Sequence, residues 1–147
     1  MEIIGRKENI VLKLPTYKDS NKVSFKLVPM VAKIDSGAYN NSMHVKKITL
    51  NYYNDKIKDY GVLITMDNNI KFFIKNNNFI YKDIKSSNGK IEKRIQTKLK
   101  IKIGDKTYLS TFTFSNREGM RNKILLGRQI LKDRFLIDVN KTFLLDK

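Results

Sequence analysis

Cysteine is absent from the 147-residue chain and histidine occurs once. Without thiols there is no disulfide framework, no thiol nucleophile and no thiolate zinc site. A catalytic zinc centre would have to be mostly carboxylate, because the lone His44 belongs to no H-E-x-x-H helix. No apolar run approaches the roughly 18 residues that a membrane span needs. The N-terminal Met1-Glu2-Ile3-Ile4-Gly5-Arg6-Lys7 puts charges where a secretion signal would put its apolar region. These absences point to a bacterial-type cytosol, hence a cytoplasmic location, and to no membrane. Phosphate-loop glycines are missing too: Gly104-Asp105-Lys106 reads as a turn, and no G-x-x-x-x-G-K-[ST] occurs. No cofactor and no metal are expected.

Acidic residues are scarce. Fourteen Asp and Glu stand against thirty Lys and Arg, a net charge of +16. Such a balance attracts phosphate backbones or acidic polypeptides. The lysines, however, are scattered through every segment among abundant Asn and Ile, as an AT-rich genome would leave them. A dedicated nucleic-acid surface concentrates its basic residues on one face or arm. Nucleic acid is therefore disfavoured as the partner, and an acidic polypeptide would exploit the same field.

What is present is mostly strand. Asn9 to Leu14 reads as a strand ended by Pro15, and Ser24 to Val28 alternates before Pro29. Thr49 to Tyr53 and Lys71 to Ile74 bring β-branched and aromatic residues. In Thr97-Lys98-Leu99-Lys100-Ile101-Lys102-Ile103 apolar side chains take one face and lysines the other. Gly104-Asp105-Lys106 then turns the chain into Thr107 to Phe114, which predicts a hairpin. One short helix is expected at about Arg128 to Lys132. The length suits a single domain over residues 1–147, all-β and barrel-like, with one short C-terminal helix.

Two blocks carry chemistry. Val31-Ala32-Lys33-Ile34 delivers Asp35 into a tight Ser36-Gly37-Ala38 turn, and far downstream stands Ile124-Leu125-Leu126-Gly127-Arg128. Asp-Ser-Gly alone also describes an ordinary capped turn. Between them lie Ser86-Ser87-Asn88-Gly89, Glu92, Arg94 and Ser115-Asn116-Arg117-Glu118-Gly119-Met120. Arg134-Phe135-Leu136-Ile137-Asp138 follows.

In this order and spacing, from about Val31 to Leu145, the chain resembles the retropepsins, single-domain aspartic peptidases that act as homodimers. More narrowly it is similar to a bacterial retropepsin-like family often labelled ATP-dependent zinc protease, some members of which are encoded beside a ribosomal-protein glutamate ligase. The resemblance implies a retropepsin-like acid-protease barrel. It also implies Asp35 as the catalytic carboxylate and Ser36, Gly37 and Ala38 as the active-site loop. Leu126, Gly127 and Arg128 become the structural support behind that loop. Ser86, Ser87, Asn88 and Gly89 become the flap that closes over substrate, although Asn-Gly is equally the sign of a plain hairpin turn. Thr142-Phe143-Leu144-Leu145 is a candidate interface strand by the same analogy, or else an edge of the chain's own barrel.

The pattern has departures. Ser36 replaces the family's usual Thr, keeping the hydroxyl. Tyr39 stands where viral retropepsins have an acidic partner for the Arg of the Leu-Gly-Arg block, so the partner of Arg128 is left open.

Peptide hydrolysis without a metal or side-chain nucleophile needs a base to activate water and an acid for the leaving nitrogen. Two adjacent carboxylates sharing one proton do both. This chain offers one such motif, so a working dyad requires Asp35 from each of two protomers related by a two-fold axis. The sequence thus predicts a homodimeric aspartic endopeptidase acting on peptide or protein, with glutamate-rich substrates one option. The alternatives are an inactive peptide-binding module of the same fold and a basic nucleic-acid-binding β-barrel. His44, near the loop in sequence, is structural or a hydrogen-bonding neighbour of it.

Overall fold

The computed structural model describes residues 1–19, 22–85, 88–115 and 119–146. Its largest sheet closes on itself. The strands β2 (Lys7–Asp19), β3 (Lys22–Ile34), β4 (Asn41–His44), β9 (Ile91–Ile103), β10 (Lys106–Ser115) and β11 (Ile124–Leu126) form a ring in the order β10-β4-β11-β3-β2-β9. The ring is sealed where β9 pairs back to β10. β8 (Phe79–Lys85) pairs with the first half of β9, on the edge that β2 joins further along, while β5 (Lys47–Asn54), β6 (Asp59–Thr65) and β7 (Lys71–Lys75) form a separate three-stranded sheet. β1 (Glu2–Gly5) pairs in parallel with β12 (Phe135–Asp138). The helix α1 is short, Arg128–Leu131. An all-β barrel with one short C-terminal helix is what the alternation predicts.

Period-two patterning builds the wall. On β2 the side chains of Ile10, Leu12 and Leu14 point inward, and on β9 those of Ile95, Leu99, Ile101 and Ile103 do so. Phe112 and Phe114 of β10, Met43 of β4 and Ile124 and Leu126 of β11 complete one buried cluster. Each such side chain contributes about 1.5–3 kcal/mol by leaving water. Phe72 of β7 meets Phe114 edge-on with ring centroids 6.0 Å apart, which fastens the three-stranded sheet to the barrel. The predicted hairpin is present, with Ile103 opposite Lys106 and Gly104 at φ 61° in its turn.

The prolines do not end their strands as the sequence pattern suggested. β2 runs through Pro15, and β3 runs through Pro29 into Ile34. Each stands where its strand has a neighbour on one side only. β9 leaves β2 after Lys13, and β11 joins β3 only at Ala32. A residue lacking an N–H is tolerated at such an open edge.

Candidate active site

β3 and β11 run in parallel, with Ile34 beside Leu126. The chain leaves β3 directly into Asp35, whose N–H donates to the Leu126 carbonyl at 2.8 Å. The turn then folds back on the carboxylate. The Gly37 N–H donates to Asp35 Oδ1 at 3.0 Å, and the Ala38 N–H donates to the Asp35 carbonyl at 3.3 Å. A Cβ on Gly37 would lie 3.2 Å from Asp35 Oδ1, so the smallest residue lets the backbone approach the acid. Asp35 is half-buried, while Ser36 and Gly37 are exposed at the tip.

The second block packs behind this loop. Arg128 and Gln129 donate their N–H groups to the carbonyls of Ala38 (2.8 Å) and Tyr39 (2.9 Å). A Cβ on Gly127 would fall 2.6 Å from the carbonyl oxygens of both Tyr39 and Asn40, so only glycine permits this approach. The side chain of Arg128 donates from Nη1 to the Ser36 carbonyl at 3.0 Å, and its guanidinium lies 5.9 Å from the centre of the Tyr39 ring. The position of the viral acid is thus taken by an aromatic face, and Arg128 holds the loop by a carbonyl and by weak cation–π attraction.

Sequence reasoning missed Asn41, although it is fully buried at the start of β4. Its Oδ1 accepts from the Gly127 N–H at 3.0 Å and its Nδ2 donates to Ser110 Oγ at 2.8 Å. The available signal was Ser110, which interrupts the alternating aromatics Tyr108, Phe112 and Phe114 on β10 and so announces a buried polar partner. Glu8 was missed as well. Its carboxylate is fully buried on the apolar side of β2 and accepts N–H groups from Gly5 (2.7 Å), Leu144 (3.0 Å) and Leu145 (3.1 Å).

The other sequence candidates lie as follows. Ser86 and Ser87 are outside the described residues. Asn88 and Gly89 form the turn between β8 and β9, with Gly89 at φ 84° and the Lys90 N–H donating to Asn88 Oδ1 at 3.1 Å. The base of their hairpin reaches the loop through Asn40 Nδ2, which donates to Gln96 Oε1 at 3.4 Å. His44 is buried with Nε2 3.2 Å from Asp67 Oδ1. Among the described residues no group of three or more His, Cys, Asp or Glu could hold a metal ion. Thr142 to Leu145 are not a strand: Phe143 has φ 54° and donates its N–H to the Lys7 carbonyl, beside the Glu8 contacts.

A groove of about 480 Å³ borders the loop, lined by Ser36, Tyr39, Arg128, Leu131, Phe135 and Ile137. Beyond it the paired strands β1 and β12 expose Ile3 and Leu136, partners in register and each 53 % accessible. No helix among the described residues is long and apolar enough to cross a membrane.

Comparison with known proteins follows this geometry. Residues 16–147 match the family described as RimB-like, retropepsin-like aspartic endopeptidase RimB. A "Probable alpha-L-glutamate ligase" from Shewanella halifaxensis (strain HAW-EB4) is 31% identical over 121 residues, covering 80% of this chain and 26% of that protein. One of the same name from Shewanella pealeana (strain ATCC 700345 / ANG-SQ1) is 30% identical over 121 residues, with the same coverage. The chain thus spans about a quarter of the length of these relatives. The crystal structure of a protein of unknown function from Legionella pneumophila subsp. pneumophila str. Philadelphia 1 superposes with a TM-score of 0.63. It shares 24% identity and covers 98% of both chains, a likeness of fold.

Proposed function

The chain belongs to the RimB-like family of retropepsin-like aspartic endopeptidases, and on that footing we propose that it hydrolyses peptide bonds as a homodimer through a dyad of two Asp35 carboxylates. The observation that carries this reading is the Asp35 turn: a half-buried acid held by Gly37 and Leu126, next to the exposed tip of Ser36 and Gly37, locked from behind by Gly127 and Arg128. Two such tips facing one another across a two-fold axis bring like charges together, so one carboxylate keeps a proton. The ionised Asp35 takes a proton from water, whose oxygen attacks the peptide carbonyl carbon, while the protonated Asp35 donates to the carbonyl oxygen. The tetrahedral intermediate collapses as the C–N bond breaks: the nitrogen takes a proton from one carboxyl of the dyad, and a hydroxyl of the intermediate returns its proton to the other as the C=O re-forms, restoring the singly protonated pair. In this reading the Ser36 hydroxyls, at the exposed tip, hydrogen-bond across the axis. Asn88 and Gly89 belong to the flap that shields the reacting water. A glutamate-bearing substrate suits the net charge of +16 and the glutamate ligases among the relatives.

The test is Asp35→Asn, assayed on peptide libraries. Hydrolysis is expected to fall by about 10²–10⁴-fold or more, since an amide cannot act as the base, with an unchanged melting curve. Chelator is expected to leave the wild-type rate unchanged. Full activity in a folded Asp35→Asn protein overturns the assignment. Binding without turnover in the wild type would instead mark an inactive peptide-binding module.

A further inference from the structure

The outward face of the barrel wall carries a pattern for which the aspartic site has no use. Leu109 of β10, Lys100 of β9, Lys13 of β2 and Leu27 of β3 stand in register across four neighbouring strands. Lys98 and Lys102 flank Lys100, so β9 presents three exposed ammonium groups at about 7 Å intervals. Among the described residues none of these lysines is ion-paired. Lys13 donates to Thr107 Oγ1 at 3.0 Å, and Lys100 Nζ lies 4.4 Å over the Phe25 ring. No Asp or Glu occupies an outward position on β2 between Val11 and Tyr17, on β3 between Val23 and Val31, on β9 between Gln96 and Lys102 or on β10 between Thr107 and Thr111; Glu92 lies further along β9, where β8 pairs, and Asp105 in the hairpin turn. Leu109 is 63% and Leu27 60% accessible. A groove of about 560 Å³ opens here, with Lys98, Lys100, Phe25 and Leu109 in its lining.

We propose that this face docks an acidic polypeptide in extended conformation, its alternate carboxylates meeting Lys98, Lys100 and Lys102 while the side chains between them, which point to the opposite edge of the chain, lodge against Leu27. An extended chain repeats its same-side residues at about 7 Å, the spacing of the lysine comb. Charge complementarity selects an acidic partner, and the apolar flanks select a polypeptide. A single-stranded nucleic acid needs free aromatic faces for its bases. Here Lys100 covers one face of Phe25 and Lys75 Nζ lies 5.5 Å over the Tyr17 ring; the groove's other two aromatic rings are engaged edge-on, the buried Phe73 by Tyr17 at 6.0 Å and Phe79 by Tyr81 at 5.8 Å, and the exposed leucines beside the comb are aliphatic. The proposal rests on the peptidase reading in one respect: it gives the substrate a second attachment point. Asp35 follows Leu27 by eight residues along the same strand and its turn, about 26 Å in extended chain. The acidic stretch therefore lies outside the segment being cut.

Binding is measured on the Asp35→Asn protein, so that no turnover is needed, with a fluorescein-labelled peptide of about twenty residues, long enough to cover the comb, rich in Glu and carrying spaced Leu. Lys98→Glu/Lys100→Glu/Lys102→Glu is expected to weaken binding at least about tenfold. The same charge change at Lys56→Glu/Lys58→Glu/Lys71→Glu, on the β5–β7 sheet, is expected to weaken it less than about threefold, because only screened long-range attraction is lost. Equal losses from the two triple variants overturn the proposal, as net charge alone would then explain binding. An oligothymidine probe that binds more tightly than the peptide, and is released by the same comb variant, overturns it in favour of nucleic acid. The milder Lys98→Gln/Lys100→Gln/Lys102→Gln protein must show the same ordering, which guards against misfolding of the Glu variant. Acidic-peptide binding through the comb in a protein that cleaves nothing upholds the docking face and sinks only the peptidase reading.

Discussion

Gly127 and Asn41 show how the short loop between β3 and β4 is held against the chain that follows β11. Gly127 leaves no room for a Cβ between two backbone carbonyls, and its N–H ends on the buried Asn41 amide. Gly127→Ala must push the Tyr39–Asn40 backbone away, and is expected to cost about 1–3 kcal/mol, the usual price of overpacking. Asn41→Ala strands the Gly127 N–H and the Ser110 hydroxyl, and is expected to cost about 1–3 kcal/mol for each unmet group. Denaturant midpoints measure both effects. Peptidase activity should fall further than stability in each, because the displaced loop carries Asp35. Wild-type turnover in a folded Gly127→Ala protein would show that the support block does not position the acid. Asp35 and the Leu126-Gly127-Arg128 block were legible because their residue types and order are local signals. Asn41 was not, since its partner Ser110 lies 69 residues away. Glu8 left a trace that could have been read: it stands on the apolar parity of Ile10, Leu12 and Leu14, where an acid must find donors inside the fold.

The long strands were legible from period-two alternation, whereas the shortest elements were not. β1 and β12 have four residues each, too few to show a period, and they pair across almost the whole chain, Ile3 beside Leu136. Strand continuity through Pro15 and Pro29 was hidden for a related reason: whether a missing N–H matters depends on which edge is open, and that is a property of the assembled sheet. The segment after β12 was expected to offer an interface strand. Instead its N–H groups are consumed by Glu8 within the same chain, which ties the C-terminal segment to β2. Glu8→Ala frees one buried and two part-buried donors together, and is expected to destabilise by about 3 kcal/mol. For a chain of this size that lowers the melting temperature by about 6–12 °C. Amide exchange at Leu144 and Leu145 should accelerate beyond the global change, because their acceptor is gone. An unchanged exchange pattern at these two amides would mean that the C-terminal segment is held by its side chains.

Across the whole molecule, charge and assembly pull against each other. A functional dyad needs two protomers, and each carries a net charge of +16. The exposed pair Ile3 and Leu136, beside the groove lined by Ser36, Phe135 and Ile137, offers apolar area for a self-complementary contact. Like-charged protomers repel over a distance that salt shortens, to about 8 Å at physiological ionic strength. Dimerisation is therefore expected to strengthen as salt rises, while docking of an acidic peptide on the lysine comb weakens. Specific activity on a short neutral peptide should fall on dilution by mass action, with the midpoint moving to lower protein concentration in higher salt. On a long acidic peptide the gain from dimerisation is opposed by the loss of docking, so its rate passes through a maximum as salt increases. Sedimentation run beside the assay separates the two contributions. Full activity in a strictly monomeric species would refute the shared dyad, whatever the salt. Leu136→Lys tests the contact itself: a charge placed at the centre of the apolar pair should shift the dilution midpoint upward and leave the monomer's melting curve intact, since Leu136 is already half exposed. A variant that dimerises as well as the wild type would move the interface elsewhere on the molecule.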